Sequence, residues 1–414
     1  MLATRTFSTC SRSGDFWQSS RWLWLWLWLV PLFFTTPPGD DDVQPEPVPA
    51  PTPLVETLDQ GDRSRSARIQ RCLAIYYLRP VDADELRPWS IMHGLIAYGQ
   101  DTRVVSRGRV MDAVEYLCHN GIGNDRQLMN APDGRLHLNT GNGVQGHEGQ
   151  FLAMLAQSRV PRTQAIEVDG HSFTVEDLIE YEKRGCQAGT ELTFRLIGLS
   201  HYLDSDDTWT NDQGETWNIS RLMGEEIRQT IDDAACGGTH RLMGLSYGLV
   251  NRNLQGHELN DSWRAAERFL ADYQKLALDL QNRDGSFSTE WFQGGGAERS
   301  AKLRLYTTGH ILEWLAYSLP DKQLKDPRVG RAVDYLTGMM LAAPGYDLDV
   351  GPRGHALHAL LIYHQRMYGP PRYQDRLQSA AKMTGGLRPA TEATPQKDEE
   401  DERPLRGLFN RRRQ

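Results

Sequence analysis

The stretch "CGGTHRLMGLSYGL", residues 236–249, decides how this chain is read. Small residues carry a thiol and an imidazole four positions apart, and an apolar run with few charges follows. The same succession recurs along the sequence: "MHGLIAYG" with His93, "GHEGQFLAMLAQ" with His147, "GTELTFRLIGLSHYL" from Thr190, "TGHILEWLAYSL" with His310 and "GHALHALLIYH" with His355. Runs that are apolar all round at helical spacing predict helices enclosed by protein. Between consecutive members lie amphipathic segments such as "TVEDLIEYEKR", "ISRLMGEEIRQTI" and "DSWRAAERFLADYQKLALDLQ". Enclosed helices alternating with amphipathic ones, six times over, predict an all-α fold, an (α/α)6 toroid whose inner ring touches protein on every side and whose outer ring faces water.

A second repeat supports the outer ring. "RVMDAVEYL", residues 109–117, and "RVGRAVDYL", residues 328–336, share Arg, Val, Ala, Val, an acid, Tyr and Leu at the same offsets. Their Val, Val and Leu fall on one helical face, so both are expected to be helices. The longest interval in the inner series precedes His310, where "STEWFQGGGAERSAK" reads as an insertion.

The chain has 414 residues, 39% of them hydrophobic, enough for one large core. Lys and Arg number 46 against 54 Asp and Glu, for a net charge of -8, and no basic stripe marks a nucleic-acid groove. Five cysteines lie far apart, with neither CxxC pairs nor a disulfide-framework spacing.

The ends differ from the middle. Residues 1–21 form a basic segment, and residues 22–34, within "RWLWLWLWLVPLFF", have the length of a signal h-region or uncleaved signal anchor. The positive-inside bias then places the rest of the chain outside the cytoplasm, anchored to the membrane. Cleavage would make it a secreted protein, and a true start further downstream would leave it in the cytoplasm. Residues 35–58, with "TTPPGDDDVQPEPVPAPTPLVE", compose a proline-rich acidic linker. Residues 59–386 are the expected toroid domain. Residues 387–414, an acidic run followed by a basic one, read as a disordered tail that could recruit a protein partner.

At "LQNRDGSFSTEWF" the chain resembles the prenyltransferase and squalene-oxidase-type repeats of terpenoid cyclases and protein prenyltransferases, with Gln281, Gly285 and Phe287 fitting the repeat and Asp284 supplying its turn. Looser echoes occur at Asp133 and Asp212. The resemblance implies an α/α toroid with a cavity at one end of the inner helices. The families' catalytic motifs are not retained. "DSDDTW", residues 204–209, is similar to a cyclase acid motif that would make Asp206 a proton donor, but it ends an apolar helix instead of opening one, and reads as a solvated turn. Asp233, Cys236 and His310 resemble a prenyltransferase zinc set with altered spacing, and Thr307 stands where the family's histidine is expected. No cofactor is expected, because a tetrahedral site tolerates little misplacement of its ligands; zinc on this altered set is the alternative.

His93, His147, His240, His310 and His355 are therefore the candidate catalytic residues. Placed near helix starts, they would ring one cavity mouth, where helix dipoles favour a polar ligand and neutral imidazoles able to act as bases. Glu148, Arg241, Tyr98 and Tyr306 are candidate ligand contacts beside them. The competing reading is repeat descent, in which a His-capped helix was duplicated and kept for structure. His358 and His364 read as core or helix-end residues and His257 as part of a polar loop. The expected function is binding of a polar small molecule or glycan, or of a partner, at the histidine-lined cavity; the alternative is an enzyme, either a polysaccharide lyase or hydrolase using acid–base chemistry or an isoprenoid cyclase or transferase.

Overall fold

A computed structural model describes residues 60–232, 234–342 and 348–373. The segments expected as signal anchor, linker and tail lie outside the described residues, as does Asp233. Among the described residues no helix is long and apolar enough to cross a membrane.

The described chain is mostly helical, with thirteen α-helices. They are α1 (Gln60–Tyr77), α2 (Pro88–Tyr98), α3 (Ala113–Cys118), α4 (Gln150–Gln157), α5 (Val175–Arg184), α6 (Thr193–Tyr202), α7 (Ile219–Ile227), α8 (Thr239–Leu254), α9 (Asp261–Asp279), α10 (Ala301–Ser318), α11 (Asp321–Leu324), α12 (Pro327–Ala342) and α13 (Val350–Tyr368). The six apolar runs of the histidine series are α2, α4, α6, α8, α10 and α13. Each packs against two others: α2 on α4, α4 on α6, α6 on α8, α8 on α10, α10 on α13, and α13 back on α2. The amphipathic helices lie against this cycle: α3 on α2, α5 on α4 and α6, α7 on α6 and α8, α9 on α8, and α12 with α1 on α13. The closing contact between α13 and α2 is tight. A Cβ on Gly354 would sit 2.1 Å from the His93 carbonyl oxygen, so only glycine lets these backbones meet.

Among the described residues nine short strands accompany the helices. β1 (Val81–Asp82) pairs in parallel with β2 (Arg103–Ser106), which pairs antiparallel with β3 (Arg109–Asp112). β4 (Met129–Asn130) and β5 (His137–Leu138), β6 (Ala165–Val168) and β7 (His171–Thr174), and β8 (Thr208–Thr210) and β9 (Thr216–Asn218) are antiparallel pairs. Three of these hairpins feed directly into α3, α5 and α7. "RVMDAVEYL" therefore begins as strand and turns helical only at Ala113, whereas its counterpart from Arg328 is helical throughout α12. Two local causes split the repeat. Arg107 and Gly108 adopt positive φ (50° and 71°), as a tight two-residue hairpin demands, and the Asp112 carboxylate caps α3 by accepting from the amides of Val114 and Glu115. Asp169 and Gly170 make the equivalent turn before α5 (φ 50° and 80°).

Buried ion pairs repeat with the helices. Glu182, the eighth residue of α5, receives the Nε of Arg195, the third of α6, at 2.9 Å; Glu226, eighth in α7, receives that of Arg241, third in α8, also at 2.9 Å. The turn from Gln281 to Phe287 is also built from specific bonds. Gln281 Nε2 donates to the carbonyls of Gly285 and Arg328 at 3.0 and 2.8 Å, and so ties the turn to the start of α12, while Phe287 is fully buried beneath it.

Candidate functional site: a buried cluster of histidines and a cysteine

Four of the five expected histidines meet. The His310 and His355 ring centroids are 3.8 Å apart, His240 lies 5.4 Å from His310 and 5.3 Å from His355, and His93 lies 5.5 Å from His355. All four side chains are buried. His147 stands further out: it stacks on Phe194 at 4.9 Å, and Phe194 in turn meets His240 edge-on at 5.1 Å. Phe194 and His240 are each the second residue of their helix, α6 and α8, so in α6 a phenyl ring occupies the place taken by an imidazole in α8.

The expected placement at helix starts holds for His240 and for His147, which lies just before α4, while the other three stand inside their helices. His310 is the tenth residue of α10 and His93 the sixth of α2, and each donates from Nδ1 to the carbonyl four residues back, of Tyr306 at 2.8 Å and Trp89 at 2.7 Å. Since a carbonyl only accepts, Nδ1 carries the proton on both rings and Nε2 keeps its lone pair. Burial favours the neutral form of these rings. Burial lowers His93 to about 4 and holds His240, His310 and His355 well below the usual imidazole range, with neighbouring imidazoles adding to the effect on the last three.

Glu313, which the sequence reading did not single out, organises one side of the cluster. It lies one helical turn after His310, is 3% exposed, and accepts from His355 Nδ1 at 2.7 Å and His358 Nδ1 at 2.6 Å. His358 is thus buried as expected, but it is a partner of the cluster and not simple core packing. His364, by contrast, is a helix-end residue that donates from Nδ1 to the Gly369 carbonyl.

"CGGTH" forms the other side. Cys236, Gly237 and Gly238 all have positive φ (52°, 61° and 87°) and wind the chain into the start of α8. A Cβ on Gly237 would fall 2.1 Å from the Trp291 ring, which explains the glycine: the "EWFQGGG" segment lays Trp291 over this turn, 6.0 Å from His310 and 5.2 Å from Tyr306. Tyr306 donates its hydroxyl to Cys236 Sγ at 3.1 Å. Burial pushes the Cys236 thiol up to about 12. The Cys236 Sγ and one nitrogen each of His240 and His310 lie within 4.8 Å of one another, the spacing of a potential metal-ligating group. Both nitrogens of His240, and Nε2 of His355, are buried without a hydrogen-bond partner among the described residues. Thr307, at the position of the family's histidine, donates to the Leu303 carbonyl and plays no part.

The remaining expected contacts go elsewhere. Arg241 is not a ligand-facing group: besides Glu226 it donates to Gln229 and to the Thr230 carbonyl, and is 5% exposed. Tyr98, at the far end of α2 from the helix start, donates to the Leu73 carbonyl and packs on Tyr77 and Tyr373, away from the cluster. Glu148 is exposed and pairs with Arg195 at 2.7 Å. Asp206, in the motif similar to a cyclase acid, is largely exposed and paired with Arg252 at 2.7 Å, so it is a solvated turn residue.

Glu148 and His147 do share a wall. They line an open cleft of about 660 Å³ together with Arg135, Tyr181, Arg184 and Thr190, and its one aliphatic side chain is Leu136. His147 Nδ1 bonds Glu191 at 2.7 Å in the same cleft. Through His147 and Phe194 the cleft adjoins the buried histidines. No family model, curated protein or solved structure matches the chain in comparisons with known proteins.

Proposed function

We propose that the chain is an (α/α)6 toroid, the six mutually packed helices forming its inner ring, that binds a hydroxyl-rich polar ligand such as a glycan in the cleft beside His147. The observation that carries this reading is the composition of the cleft. A volume of about 660 Å³ suits a small oligosaccharide or similar molecule, and most of its lining side chains are charged or polar, with Tyr181 offering a ring to stack on. Mixed charges, with Arg135 and Arg184 beside Glu148, Glu191 and Asp212, favour hydroxyl or carboxyl groups over an apolar chain. An isoprenoid substrate would need an apolar cavity in place of this one. The basic and apolar N-terminal residues support a membrane-anchored protein facing out of the cytoplasm, where such ligands are found.

The test is a binding titration of the full chain, in mild detergent, against neutral and uronate-containing oligosaccharides. His147→Ala and Arg135→Ala are expected to weaken binding about tenfold each, the effect of losing one charge-assisted or paired hydrogen bond, while the circular dichroism stays unchanged. Absence of binding to every glycan class, or binding untouched by both variants, overturns the reading. Ultraviolet absorbance of an unsaturated uronide in the same mixtures would turn it into a lyase.

A further inference from the structure

The cleft does not account for the buried end of the histidine cluster, and two polar groups there pose a problem. His240 is 8% exposed, yet neither ring nitrogen has a partner, and His355 Nε2 is likewise enclosed and unpaired. A buried donor or acceptor left unmade costs on the order of 1–3 kcal/mol, so such groups in a folded protein call for an explanation, of which a bound ion is one. They do not stand alone. Cys236 Sγ and a nitrogen of His310 fall within the same 4.8 Å span as a nitrogen of His240. The carbonyl of Tyr306 holds the proton of His310 on Nδ1, which leaves Nε2 as a lone-pair donor. Glu313 adds a negative charge against His355, and its partners are the two imidazoles of His355 and His358.

We propose that Cys236, His240 and His310 form a three-ligand site for a zinc ion, with the fourth position open. One thiolate and two imidazoles are a borderline-soft set that suits zinc, and three protein ligands with an open position are the arrangement of reactive rather than structural zinc. Tetrahedral bond lengths place ligand atoms roughly 3.3–3.6 Å apart, so side chains already within 4.8 Å need only small rotations to close on an ion. The charges balance: zinc offsets the Cys236 thiolate and the Glu313 carboxylate. Tyr306, donating to Sγ, and the Tyr306 carbonyl, fixing His310, supply the outer hydrogen bonds that orient the ligands. The left-handed turn through Cys236 and Gly237 brings the thiol to the imidazoles, and Trp291 roofs it.

The full chain, made without a polyhistidine tag, is stripped with chelator, dialysed against zinc or cobalt(II), and its bound metal measured by mass spectrometry. The expected result is one metal per chain, and a cobalt form with a thiolate charge-transfer band and the strong visible bands of a tetrahedral ion. Cys236→Ser should abolish the charge-transfer band, and His240→Phe should weaken zinc binding at least about a hundredfold. Should His240→Phe fail to fold, His310→Asn serves for the same measurement. A folded wild-type chain that takes up no zinc at micromolar free zinc, or a charge-transfer band that survives Cys236→Ser, overturns the site. Glycan titrations repeated in chelator separate this outcome from failure of the cleft reading, because the cleft residues are not metal ligands.

Discussion

Replacing His240 by Phe should stabilise the metal-free protein. The wild-type ring is enclosed, lies 5.1 Å from Phe194, and leaves one donor and one acceptor unmade. Each such group costs about 1–3 kcal/mol, and refilling the space with a slightly larger apolar ring returns part of that gain as crowding, of order 1 kcal/mol. The net expectation is a stabilisation of about 2 kcal/mol, or a rise in Tm of roughly 4 °C for a domain of this size. With zinc present the order reverses. The wild type gains about 4 kcal/mol of binding free energy when free zinc is a thousandfold above its Kd, and a variant that binds about a hundredfold more weakly gains only about 1.4 kcal/mol. Thermal melts followed by circular dichroism, in chelator and in zinc, read both signs in one series. A variant less stable than wild type by 2 kcal/mol in chelator would refute the reasoning, since it would mean that the His240 nitrogens are already satisfied and that the ring is held for structure.

Stability should fall with acid before any carboxylate of ordinary pKa titrates. His93 is lowered to about 4 by burial, below the unfolded value of about 6.5, so its contribution is fully present above pH 6.5 and lost as pH falls from there towards 4. The span is worth about 3 kcal/mol for His93, and His240, His310 and His355 act in the same direction. Urea midpoints measured from pH 7 to pH 5 should drop steadily; a flat profile would contradict the burial of these rings. Glu226→Gln should destabilise by about 3–5 kcal/mol, because it leaves the buried Arg241 guanidinium without its counter-charge, whereas Glu226→Met combined with Arg241→Met should cost less than the single change. Equal losses in the urea midpoint for the single and double variants would refute that account. Gly354→Ala forces a methyl group to within 2.1 Å of the His93 carbonyl and should cost about 1–3 kcal/mol in thermal denaturation, while Gly256→Ala, which meets nothing within 4 Å, shows only the strain of its φ of +76°.

The sequence by itself determined the alternation of enclosed and amphipathic helices, because an element's burial is written in its hydrophobic period. It also yielded the five histidines, since each stands near the start of one of the apolar runs. The shared Val, Val, Leu spacing predicted a helix at both copies, whereas residues 109–112 pair as β3 behind the Arg107–Gly108 turn. Periodicity is a local property, and it says which face of a helix is buried without saying what that face meets. Arg241 and His240 are neighbours in the sequence, yet one is spent on Glu226 while the other lies unpaired among imidazoles. Tyr98 and Tyr306 looked alike as candidates, yet one bonds a backbone carbonyl and the other a thiol. Glu313 drew no attention because an acid within an apolar helix has no spacing signature; its role exists only because α13 packs on α10 and brings His355 and His358 to it. Tertiary structure alone decided which polar groups share a buried space, because contacts between helices far apart in the chain fix where each hydrogen bond is made and where one is left open.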